Sequence, residues 1–241
     1  MANLNKEFKS DIIRSAMLPL LFLLLCFLVF GYESAFEVSL HQYGLKPRDF
    51  KGLRGVLFMP FLHGDLEHLL NNSFGVLVLG TLLFLGYKEI ALQVFLMIFF
   101  LSGLWTWTLA FGGTHIGASA GIYGLFSFLA LSGLLRKDVR LMAITFLVIF
   151  AHQGMVWGIF PTKPGISWEG HLSGFLAGIV LAIYYKKEGP QPKRIILNDD
   201  DSFNEMRFGK YYWDEQKRKE EEGIQQQEIK IIYHIKKEGE I

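Results

Sequence analysis

The stretch "GTHIGASAGIYG", Gly113 to Gly124, decides how this chain is read. Four glycines and two alanines surround one serine, Ser119, at the start of an apolar run. Glycine in a helix interior costs about 1 kcal/mol relative to alanine, so helix propensity does not explain the choice. Two explanations remain. Small residues let membrane helices approach closely, or they clear space around a hydroxyl that reacts.

Outward from this stretch the chain is apolar and then abruptly charged. Of 241 residues 51% are hydrophobic, concentrated between about residue 16 and residue 185. Half of the 24 Lys and Arg and more than half of the 23 Asp and Glu lie at or beyond Lys186. The net charge of +1 therefore averages two unlike bodies and supplies no basic surface for nucleic acid. The only cysteine, Cys26, lies inside an apolar run, which excludes an intrachain disulfide and argues against a thiol nucleophile.

A helix crosses a bilayer core with about 20 apolar residues. Six segments approach that length: 16–36, 66–87, 90–111, 117–135, 140–160 and 168–185. The first is longer than a signal-peptide core and no small-x-small cleavage site follows, so it is expected to be retained. The expected fold is an all-α, six-transmembrane-helix bundle over residues 1–186. A charged cytoplasmic tail follows over 187–241, part helix or strand. Lys6, Lys9, Arg14, Lys88, Arg136, Lys137, Arg140, Lys186 and Lys187 fall on one side, which the positive-inside rule makes cytoplasmic. Both termini are then inside. Lys46, Arg48, Lys51 and Arg54 in the first loop, and Lys163 in the last, oppose this bias without reversing it. The first loop, "YGLKPRDFKGLRGVLFMPFLHGD", is too aromatic for a linker and reads as a folded element at the membrane interface.

Polar residues inside apolar spans are costly and tend to mark function. His68 and Asn72 open the second segment, Ser119 the fourth and His171 the sixth. These three segments run in the same direction, so the groups lie at one depth. Gly117, Gly121 and Gly124 on the fourth segment, and Gly170, Gly174 and Gly178 on the sixth, are spaced for close helix approach. That approach is what a serine–histidine pair requires, since hydroxyl and imidazole must come within about 2.6–3.2 Å. His68 and Asn72, one helical turn apart, can donate to an oxyanion, as can the Ser119 amide in the first turn of its helix.

With "GASAGIYG" around the serine, "HLLNN" from His68 to Asn72 and "HLSGFLAG" from His171, the chain resembles the rhomboid family of intramembrane serine proteases over about residues 10–185. The resemblance implies a Ser119–His171 dyad and an oxyanion hole of His68, Asn72 and Ser119. It implies Tyr123 packed on the base, His63 in support, and a cap loop from Trp157 to Trp168 with Trp157 and Phe160 as gate residues. It also implies transmembrane protein substrates, a lipid bilayer as the medium and a bacterial inner membrane as the location. Ala120 stands where many members carry glycine, and the Trp-Arg pair common in the first loop is not evident.

Competing readings are weaker. His63, Asp65, Glu67, His68 and His115 include zinc-binding types, but five residues separate His63 from His68 and no HExxH occurs, so neither a metal nor another cofactor is expected. His115 is expected to sit in a loop and bind nothing, and His152 to be a satisfied packing histidine. A transporter would need intramembrane carboxylates. A catalytically silent rhomboid-like protein that binds membrane clients is the main alternative.

Overall fold

A computed structural model of the chain describes residues 2–161, 167–191 and 218. The unit considered is Met1–Lys193; the second, Arg194–Ile241, falls outside the described residues except Arg218. The expected strand of the charged tail therefore lies outside the described residues, as does its expected helix apart from Arg218.

Among the described residues the chain is helical. The order is α1 (Ala2–Phe36), α2 (Gly55–Phe58), α3 (Leu66–Gly86), α4 (Ala91–Leu109), α5 (Ser119–Arg136), α6 (Val139–Ala151) and α7 (Trp168–Tyr184), with short 3-10 turns between. Four helices are long and apolar enough to cross a membrane: Lys9–Phe36 within α1, α3, α4 and α5. Leu20, Leu21, Leu24 and Leu28 of α1 and Leu92 and Leu96 of α4 face outward. Such surfaces suit lipid rather than water.

The fifth segment is shorter than its apolar run suggests. Asp138 caps α6 by accepting the Arg140 and Leu141 amides, but the helix stops at Ala151. The polar pair His152–Gln153 and then Gly154 follow, and the backbone tightens into a 3-10 helix over Gln153–Ile159. The first helix is longer than expected because its charged N-terminal turns continue it. There Asp11 meets Lys88 at 2.7 Å. Pro19 sits inside α1, packed where a side chain on Gly80 of α3 would fall 2.8 Å from its ring.

At the same end of the bundle Arg136 is buried without a carboxylate partner among the described residues. Its guanidinium donates to the carbonyls of Tyr185 and Glu188 and to the Ser132 hydroxyl, and lies 5.2 Å from the Tyr87 ring centre. Lys88, Arg136 and Arg140, grouped on one face in the sequence, thus share one end of the structure. The first loop occupies the other. It is held by Arg48 donating to the Ala110 carbonyl at 2.7 Å and by the Trp107 indole donating to the Asp49 carbonyl at 2.9 Å. Arg54 stacks over Tyr43 and donates to the Gln42 carbonyl. In this loop a tryptophan reaching over from α4 supplies an anchor.

The most enclosed helix is α5, and its main partner is α7. A Cβ on Gly174 would overlap the Ala120 carbonyl oxygen, and one on Gly178 the Gly124 carbonyl and the Ser127 hydroxyl. The two backbones therefore touch. Gly117 and Gly121 do not serve this contact, contrary to the expectation from spacing. Gly121 lies under the Phe99 ring of α4, and Gly117 faces α3. A four-residue spacing in a short window does not say which of several surrounding helices each glycine meets.

Replacing Gly174 by valine is expected to destabilise the fold by about 1–3 kcal/mol through overpacking. Gly154→Ala is the control, since nothing lies within 4 Å of its Cβ direction. Thermal unfolding in detergent should show a lower midpoint for the first and little change for the second.

Candidate functional site

The site follows from how three helices begin. Asp65 caps α3, its carboxylate accepting the His68 amide at 2.7 Å. This fixes the first turn, from which His68 and Asn72 project on one face. Ser119 is the first residue of α5, so its amide has no acceptor within the helix. Ser167 caps α7 by accepting the Gly170 amide at 3.3 Å, and its carbonyl accepts the His171 amide at 3.1 Å.

These starts converge on one cavity of about 670 Å³, whose wall includes His68, Asn72, Ser119, Tyr123 and His171. The imidazole Nε2 of His171 lies 3.0 Å from the Ser119 hydroxyl. Its Nδ1 lies 2.9 Å from the Gly158 carbonyl oxygen. A carbonyl only accepts, so Nδ1 carries the proton and Nε2 presents a lone pair to the serine. Tyr123 stacks on the ring, with centroids 4.2 Å apart and planes 12° from parallel. The carboxylate in the cavity wall, Asp65, is engaged with α3 and not with His171.

Beside the serine stand donors without acceptors. Asn72 is buried, and its Nδ2 makes no hydrogen bond. It lies in the wall of the same cavity, so a group entering that space can accept from it. Gly117, at φ +101°, leaves open the space in front of it. A Cβ there would stand 2.7 Å from His68 Nε2 and 3.1 Å from Asn72 Nδ2. The left-handed backbone and the cleared space both demand glycine at this position.

The Rhomboid domain model matches residues 51–188, more than half of the chain. This protein belongs to the rhomboid family. The rhomboid chain is 35% identical over 183 residues to an uncharacterized protein of Mycobacterium tuberculosis and to another of Mycobacterium bovis, covering 72% of this chain and 75% of each relative. An uncharacterized protein of Mycobacterium leprae is 33% identical over 190 residues, 75% of this chain and 74% of the relative. With its lipid-facing helices, the rhomboid is an integral membrane protein.

The remaining candidates fall outside the cavity. His63 is buried with both ring nitrogens unpaired and sets its edge against His68, ring centres 5.1 Å apart. Burial is the main cause that pushes its pKa down to about 4, so at neutral pH it packs as an uncharged ring. Trp157 and Phe160 lie close together, ring centres 6.5 Å apart, and both face outward. Trp157 belongs to the 3-10 helix and not to a loop. Residues 162–166, within the expected cap loop, lie outside the described residues. His152 stacks on Phe74 with its ring nitrogens unpaired, so it packs but is not satisfied.

Two residues of this rhomboid escaped the sequence reading. Gly158 supplies the carbonyl that orients His171, and a Cβ on it would overlap the Tyr123 hydroxyl. Its only signal is a glycine thirteen positions before the histidine. His115, expected to bind nothing, is hydrogen-bonded to Ser167.

Gly117→Ala is expected to slow covalent capture of Ser119 by a fluorophosphonate about tenfold or more, because the new methyl group fills the space before Asn72. Labelling at the unaltered rate would show that this space is not used.

Proposed function

We propose that this rhomboid is an intramembrane serine endopeptidase that cuts peptide bonds in or near transmembrane segments of other membrane proteins. The observation carrying this reading is the pair of contacts made by the His171 ring. With Nδ1 held by the Gly158 carbonyl and Nε2 3.0 Å from the Ser119 hydroxyl, the imidazole is already a base aimed at its nucleophile.

The chemistry follows from that arrangement. Ser119 Oγ attacks the scissile carbonyl as its proton passes to His171 Nε2. The imidazolium keeps its Nδ1 bond to Gly158 and its stack on Tyr123, whose π-face favours a cation. The oxyanion takes hydrogen bonds from the Ser119 amide, Asn72 Nδ2 and His68 Nε2, all in place beforehand. His171 then protonates the leaving amine, and water from the cavity hydrolyses the acyl-enzyme. A helical substrate must first unwind, because its own hydrogen bonds shield the scissile carbonyl.

The same reading makes α6 and α7 short spans, completing six over residues 1–186. At 13 and 17 residues they are below or at the lower limit for a full crossing, which local bilayer thinning accommodates. Both termini and the charged tail, 187–241, are then cytoplasmic, in a bacterial inner membrane. Trp157, within the 3-10 helix, and Phe160, directly after it, are exposed and in this reading meet an arriving substrate helix.

Ser119→Ala and His171→Ala are each expected to abolish cleavage of a model transmembrane substrate with the thermal midpoint retained. Asn72→Ala should lower kcat by up to about 10²–10³, the cost of one lost oxyanion donor. Full activity of Ser119→Ala would overturn the assignment. A wild-type protein that folds, binds substrate and never cleaves it would favour the silent client-binding alternative.

A further inference from the structure

Ser119 and His171 belong to different helices, and each is preceded at four residues by a side chain that meets the other's. His115 Nδ1 is hydrogen-bonded to the Ser167 hydroxyl across 52 residues of sequence. Both ends of this link are fixed. The His115 amide and carbonyl exchange hydrogen bonds with Leu45 of the first loop at 2.8 and 3.0 Å, and the Gly117 amide donates to the Met59 carbonyl at 2.9 Å. The imidazole therefore projects from a pinned backbone. Ser167 in turn caps the first turn of α7 through its hydroxyl and accepts the His171 amide at its carbonyl.

The ring of His115 is buried, and burial pushes its pKa down against the pull of the Glu169 carboxylate. It is thus neutral at pH 7. Because the Ser167 hydroxyl oxygen already accepts from Gly170, its own proton is free for a neutral Nδ1. The result is a continuous chain of hydrogen bonds from the first loop to the turn that bears the histidine.

We infer that His115 is a positioning residue, whose bond to Ser167 sets the first turn of α7 against the loop before Ser119. This rests on the Ser119–His171 reading above, since what it sets is the nucleophile–base distance. The contact of α5 with α7 fixes how close the helices lie. It leaves sliding and rotation of the first turn to be restrained by bonds such as this one. Misplacement of a reacting group by about 1 Å can cost a hundredfold in rate, so a partial loosening is expected to cost about tenfold.

The test uses the full chain in detergent, with His115→Phe, His115→Asn, Ser167→Gly and the double variant His115→Phe/Ser167→Gly. Three quantities are read: the fluorophosphonate labelling rate of Ser119, kcat and KM on a model transmembrane substrate, and amide exchange at Gly170 and His171. In His115→Phe, labelling rate and kcat should fall together about tenfold with KM unchanged, and exchange should quicken. His115→Asn, whose side-chain oxygen can stand in for Nδ1, should recover most of the loss. The double variant should be no worse than the poorer single one. Should His115→Phe fold poorly, Ser167→Gly removes the same bond from the other side, since glycine is tolerated as a cap. Labelling and exchange at wild-type rates in both single variants would overturn the inference, as would losses that multiply in the double. A wild-type protein that takes no label, with exchange still quickened in His115→Phe, would remove the protease reading and leave the link standing.

Discussion

Side chain 171 reaches side chain 119 because the backbones of α5 and α7 touch. Gly174 lies against the Ala120 carbonyl and Gly178 against the Gly124 carbonyl, with no room for a Cβ at either. In lipid such contact is not driven by hydrophobic burial, since hydrocarbon surrounds both helices whether or not they meet. It comes from the fit of small residues, and it puts the hydroxyl and imidazole within hydrogen-bonding distance at 3.0 Å. The surrounding features refine that meeting. Gly158 turns the imidazole, Tyr123 supports its face, and Gly117 keeps the space before Asn72 open.

Among the described residues no carboxylate stands behind the histidine; its Nδ1 meets the Gly158 carbonyl instead. A backbone carbonyl fixes the tautomer as well as an aspartate does, but adds no full charge to stabilise the imidazolium. The unpaired amide of Asn72 shows the same economy. It is a donor with no protein partner among the described residues, in the wall of a cavity of about 670 Å³.

Much of this was legible in the sequence, for identifiable reasons. The apolar runs declare helices because a bilayer leaves the backbone no other hydrogen-bonding partner. His68, Asn72, Ser119 and His171 stood out because polar groups are rare in such runs, and the shared direction of three helices put them at one level. What stayed hidden depends on tertiary contact. The end of α6 at Ala151 turns on a local change of backbone geometry within an apolar run. Which helix Gly117 and Gly121 face is set by the surrounding bundle and not by spacing. The roles of Gly158 and His115 are invisible locally, since one acts through a carbonyl and the other through a partner 52 residues away.

The most direct measurement is the protonation pattern of the His171 ring, read by nitrogen-15 NMR of the histidine-labelled protein near neutral pH. The expected result is a proton on Nδ1 and a bare, hydrogen-bond-accepting Nε2, with the Nε2 signal moving when Ser119 is replaced by alanine. A ring protonated on Nε2 with Nδ1 bare, or one indifferent to the loss of the serine hydroxyl, would contradict the pairing on which the proposed chemistry stands.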